Sequence, residues 1–150
     1  MATIEEEIKQ KRFNTEREKA AINLLFSSNW LYSHNAAFMK QFGVTPEQFN
    51  VLRILRGSHP KTLMLNDISS RMLDRNSNAT RLVEKLRLKK LVEREICPSN
   101  RRQVDISITS SGLELLAKTD ARMADLNRPL ENLSEDEAKC LNLLLDKLRG

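Results

Sequence analysis

Residues 74–108 constrain the fold more than any other part of the chain, because two periodicities meet there without a gap. In DRNSNATRLVEKLRLKK, Ala79, Leu82, Val83 and Leu86 recur at helical spacing. Asn78, Arg81, Lys85 and Lys89 follow one another at intervals of three, four and four, which puts them on the other side of the same helix. The spacing predicts a helix to Lys89 or Lys90, capped by Asp74 or Asn76, with an apolar inner face and a polar, basic outer one. LVEREIC then reads as a strand, and Pro98, Ser99 and Asn100 as turn residues. VDISI is a second strand, with Val104, Ile106 and Ile108 on one side. A two-faced helix followed at once by a hairpin with one buried face leaves two things outside: the basic face, and the arginines Arg101 and Arg102 at the turn.

The rest of the chain is helical in character. Four glycines and four prolines in 150 residues favour long helices over a sandwich or barrel, and the length suits one domain with a real core. After a short amphipathic piece, residues 15–42 read as a long helix carrying Ile22, Leu25, Phe26, Leu31, Phe38 and Phe42. That is more apolar surface than one small face needs, and it suits packing against another chain. Gly43 ends this helix. Thr45 at N-cap, Pro46 at the first position and Gln48 three residues on then open the next, which stops at Gly57. KTLML reads as a linker and NDISSRML as a short helix. Beyond the hairpin, Thr109 or Ser110 caps a helix interrupted near Pro129, and the SEDE box at Ser134 starts a strongly apolar last helix. The fold class is therefore mainly α with a small β-hairpin.

Several functions are disfavoured. No apolar run approaches the roughly 20 residues that cross a bilayer, and the N-terminus lacks the apolar core of a signal peptide, so a cytoplasmic protein is expected. Cys97 and Cys140 do not form a disulfide framework, and His34 and His59 share no ligand spacing, so no metal is expected. The chain has no phosphate-cradling glycine loop, no HExxH, no CxxC and no paired histidine with a nucleophile. Neither an enzyme nor a cofactor is expected.

The charge is concentrated. Residues 71–102 hold ten Lys or Arg against four Asp or Glu, whereas the remainder holds 15 against 16. Such asymmetry suits a polyanion, although a solvated basic face is the other explanation. A short helix, a tight turn and a helix with a polar outside make a helix-turn-helix, and the hairpin makes it winged. In that arrangement the second helix fills the major groove, where side chains near its start reach base edges. The hairpin lies beside the backbone or the neighbouring minor groove, where arginine is favoured.

The stretch from DISSRML to SGLELL resembles the winged-helix core of the bacterial MarR family of transcriptional regulators. TRLVEKL, LVER, NRR and ITSSG carry the resemblance, with VTPEQFNVLRIL upstream, so it spans roughly Phe42 to Leu116. The resemblance implies a homodimer in which residues 1–42 and 113–150 supply dimerisation helices and residues 43–112 form the winged helix-turn-helix. It also implies double-stranded DNA as partner, in the form of a pseudo-palindromic operator. A repressor released by a small aromatic effector or a stress signal is the expected function. The alternative is a winged-helix module that binds another protein or RNA.

The candidate DNA-binding residues are Asn76, Ser77, Asn78, Thr80, Arg81 and Lys85, with Arg101 and Arg102 from the wing. The residues at the helix start can equally be satisfying backbone groups. Lys89 joins Lys85 as a phosphate candidate or a solvated side chain. At the wing tip most members have an acid that braces the arginine; Asn100 holds that place here, and Lys90 stands where a glycine commonly ends the recognition helix. Trp30, Tyr32, His34 and Phe38 either line a ligand pocket between stem and DNA-binding lobe or form core and dimer interface. Cys97 is open to a structural or a redox role, the family's oxidant-sensing cysteines being usually in the first long helix, and Cys140 is expected in the core.

Overall fold

The computed structural model describes residues 2–150 and is mainly helical with one small sheet. The helices are α1 (Ile4–Glu7), α2 (Glu16–Lys40), α3 (Pro46–Ser58), α4 (Leu65–Arg71), α5 (Ala79–Leu88), α6 (Ser110–Asp120), α7 (Met123–Asn127) and α8 (Glu135–Arg149). Strands β1 (Leu63–Met64), β2 (Val92–Ile96) and β3 (Val104–Ile108) form an antiparallel sheet in the order β1-β3-β2. No helix among the described residues is long and apolar enough to cross a membrane.

Local chemistry starts most of these helices where the sequence places them. Thr15 accepts the Glu18 N–H at 3.1 Å, and Thr45 accepts the Gln48 N–H at 3.2 Å while the Gln48 side chain reaches back to the Thr45 N–H. Ser134 and Glu137 make the same reciprocal pair at the head of α8. Each cap satisfies donors that the first turn leaves without partners. At the far end of α2, Gly43 turns the chain with φ 72°, a region open to glycine without penalty.

The core lies between α3, α4, α5, α6 and the sheet. Val51, Leu52 and Leu55 from α3 meet Ile68, Val83, Leu86, Ile106 and Leu116, all at most 2% exposed. Gly112 explains why ITSSG opens α6. A Cβ there would stand 2.5 Å from the Leu91 carbonyl oxygen and 2.6 Å from Ile108 Cγ1, so only glycine lets the helix lie this close to the wing. Thr109 completes the junction, accepting the Gly112 N–H while donating to the Lys90 carbonyl at 2.8 Å.

Four expectations are corrected here. KTLML is not a plain linker: Leu63 and Met64 pair with Ile106 and Asp105, so the hairpin is the larger part of a three-stranded sheet. Helix α3 runs one residue past Gly57, to Ser58. The helix after the wing breaks at Ala121 and Arg122 rather than only at Pro129, and the Arg122 guanidinium lies over the Phe38 and Phe42 rings, 5.4 and 5.9 Å from their centroids. Cys140 is exposed rather than core.

Two helices stand largely outside the core. Of the 25 residues of α2 only Phe38 and Met39 are buried, and α8 buries none. Leu143, Leu144 and Leu148 on α8, and Leu25 on α2, are each more than half exposed. So much exposed aliphatic surface on two helices is what an interaction face looks like in an isolated chain.

Candidate nucleic-acid interface

The turn before α5 is built by Asp74, whose carboxylate accepts the Asn76 N–H at 2.9 Å and the Ser77 hydroxyl at 3.2 Å. Neither Asp74 nor Asn76 caps the helix. That role belongs to Asn78, whose Oδ1 accepts the Arg81 N–H at 3.0 Å. Asn78 therefore keeps both amide N–H donors free for an outside partner, while its Oδ1 is engaged by the cap.

From this cap α5 turns Ala79, Val83 and Leu86 into the core and leaves Thr80, Arg81 and Lys85 exposed. Ser77, Asn78, Arg81 and Lys85 line one shallow groove against the start of α3, where Glu47 also sits. Thr80 lies on the other side of the helix, in a cleft facing the wing. Lys89 does not join the outward row. Its ammonium donates to the Gly43 carbonyl and to Gln48 Oε1, tying the end of the helix to the junction of α2 and α3. Lys90 follows at φ 59°, the left-handed position that ends many helices and that glycine usually fills.

At the wing tip the Cys97 N–H donates to the Gln103 carbonyl at 3.0 Å and the Gln103 N–H to the Asn100 carbonyl at 2.9 Å. Asn100 Oδ1 accepts the backbone N–H of Arg102 at 3.2 Å. The asparagine thus shapes the turn and leaves the guanidinium free of it. Arg101 and Arg102 are both exposed, and Arg102 lines the cleft that Thr80 faces. The thiol of Cys97 meets the Ser99 hydroxyl at 3.1 Å, and this contact, with the backbone N–H groups of Ser99 and Asn100, holds its pKa below the usual thiol value.

The four residues expected around one ligand pocket do not converge. Phe38 is core, packed on Phe42 at 5.2 Å. His34 Nε2 is bonded to the Asp125 carbonyl at 3.1 Å. Trp30 lies near α1, lining a shallow pocket with Ile4 and Phe26. Tyr32 points elsewhere and donates to Glu47 Oε1 at 2.7 Å, and that bond holds its phenol above the usual value. Only Tyr32 opens on a mostly apolar groove between stem and head, with Ala36, Val44 and Pro46. Among the described residues no group of three or more His, Cys, Asp or Glu could hold a metal ion.

Sequence reasoning passed over Arg94, which shares the cleft with Thr80 and Arg102. The signal was present: in VEREI a charge occupies a position that strand alternation assigns to the inner face.

Comparison with known proteins places this geometry. The family described as MarR matches residues 44–104. An uncharacterised HTH-type transcriptional regulator of Bacillus subtilis, YkoM, is 31% identical over 140 residues, covering 90% of each chain. A MarR transcription factor of Planctomyces limnophilus superposes with a TM-score of 0.71 at 29% identity, over 90% of this chain and 98% of that one. Staphylococcus aureus MepR, in a structure of its DNA complex, shares the fold with a TM-score of 0.76 at 24% identity, over 85% and 94%.

Proposed function

The chain belongs to the MarR family of transcriptional regulators, and from that premise we propose that it is a cytoplasmic, homodimeric repressor of a pseudo-palindromic operator. The observation that carries this reading is the placement of the excess positive charge. Arg81 and Lys85 project from a capped helix, while Arg101 and Arg102 stand at the tip of the adjoining wing. A helix so exposed fits the major groove, and a wing arginine fits the narrow minor groove beside it.

Each residue then has a role. Arg81, with the amide of Asn78, meets base edges, and Thr80, on the side of the helix that faces the wing, meets the backbone. Lys85 and Arg101 meet phosphates, Asn76 and Ser77 approach the backbone from the turn, and Arg102 enters the minor groove. Residues 43–112 form the DNA-binding head. Residues 1–42 and 113–150 form the dimer stem, which covers the leucines that α2 and α8 expose. A small aromatic effector enters beside Tyr32, between stem and head, and changes the spacing of the two heads.

Gel-shift titration at two salt concentrations tests the reading. Arg102→Ala weakens binding and flattens its salt dependence while the dimer persists. Equal affinity in wild type and variant removes the minor-groove role. Wild-type binding that ignores both sequence and salt removes the operator.

A further inference from the structure

The inner face of the wing sheet carries one charge. Register sets Arg94 opposite Ile106, with Val92 and Ile108 on one side of the pair and Ile96 and Val104 on the other. Ile106 is 1% exposed, whereas Arg94 and Ile96 are exposed, so position 94 lies where this aliphatic row opens to solvent. A guanidinium in that row is tolerable only if its head reaches water or an anion.

Arg94 reaches the mouth of a cleft of about 240 Å³ between wing and recognition helix, floored by Val83 and Ile106 and rimmed by Asn66, Thr80 and Arg102. Among the described residues, neither the Arg94 nor the Arg102 guanidinium has a hydrogen-bond or ion-pair partner. Glu84, the α5 carboxylate that feels the charge of Arg94, is already taken by two hydrogen bonds from Arg87, at 2.7 and 3.0 Å. The cleft is therefore cationic, floored by apolar groups and short of an anion.

A helix in the major groove and a wing over the adjacent minor groove straddle one sugar–phosphate strand. On the operator-binding reading, that strand would cross this cleft. We propose that Arg94, flanked by Asn66 and Thr80, receives a backbone phosphate there, seating the wing so that Arg102 can enter the minor groove. The inference rests on the operator-binding reading above. A different role for the same charge is to blunt β2, an edge strand, against pairing with other chains; that role has no phosphate in it.

The test uses full-length protein and a duplex that it selects from a randomised library, titrated between about 50 and 200 mM salt. Arg94→Gln should reduce the slope of log affinity against log salt by about 0.9, the share of one phosphate contact. It should weaken selected and scrambled duplexes by the same factor, because a phosphate carries no sequence. Arg94→Lys should restore the slope. Should the glutamine variant not fold, Arg94→Leu, which suits the aliphatic row, carries the same expectation. An unchanged slope, or a loss confined to the selected duplex, overturns the phosphate seat. Failure of the wild type to select any duplex overturns the operator reading instead.

Discussion

The ammonium of Lys89 donates to Oε1 of Gln48 at 3.0 Å, joining the end of the recognition helix to the first turn of α3. Gln48 is 3% exposed and also accepts the Thr45 N–H, so one side chain serves a helix cap and a tertiary tie together. The last cation of the basic face is thus structural.

Lys89→Met should therefore lower unfolding stability by about 1.5 kcal/mol, the lower end of the worth of a hydrogen bond to a charged group, since the site is partly wet. Chemical denaturation measures it. The salt slope of DNA binding should stay at its wild-type value, unlike that of a Lys85 variant.

Lys90 adopts φ 59°, which a side chain opposes and glycine does not. Lys90→Gly should raise stability by about 1 kcal/mol, the relief of strain outweighing the added freedom of the unfolded chain. A thermal melt reads the sign directly.

The Ser99 hydroxyl and neighbouring backbone N–H groups favour the thiolate of Cys97. A lowered pKa means more thiolate at a given pH, so in a Cys140→Ser background the alkylation rate should reach half its maximum below the ordinary thiol midpoint of about 8.5. Ser99→Ala should move that midpoint upward. A pH series of iodoacetamide rates shows both shifts.

Leu144 is 59% exposed on a helix that buries nothing within the protomer. On the proposed homodimer, Leu144→Glu should shift the protein from dimer to monomer in sedimentation equilibrium, since a carboxylate buried without a partner at a helical interface is strongly unfavourable.

How far the sequence revealed this depends on which forces decide each element. The recognition helix, the wing and the boxes at Thr45 and Ser134 were legible because periodicity and capping are local. Strand β1 was not: two residues become a strand only by pairing with Ile106 and Asp105, more than forty positions away. Asp74, Asn76 and Asn78 are all good caps within five residues, and which one wins depends on Asp74 being used to close the turn. The aromatic residues of α2 misled because proximity in sequence is not a shared face. At about 100° per residue Tyr32 points nearly opposite Trp30, while Phe38 turns into the core. Asn100 shows the limit of motif reasoning: the expected brace of the wing arginine is a bond to its backbone instead.

The two exposed cationic elements, recognition helix and wing, should read one DNA sequence together. Equilibrium titration of the wild-type protein with its selected duplex and with a scrambled duplex of the same composition, at about 150 mM salt, measures this directly. The selected duplex should bind at least about a thousandfold tighter, the range of specific regulators. Equal affinity for the two duplexes would contradict it.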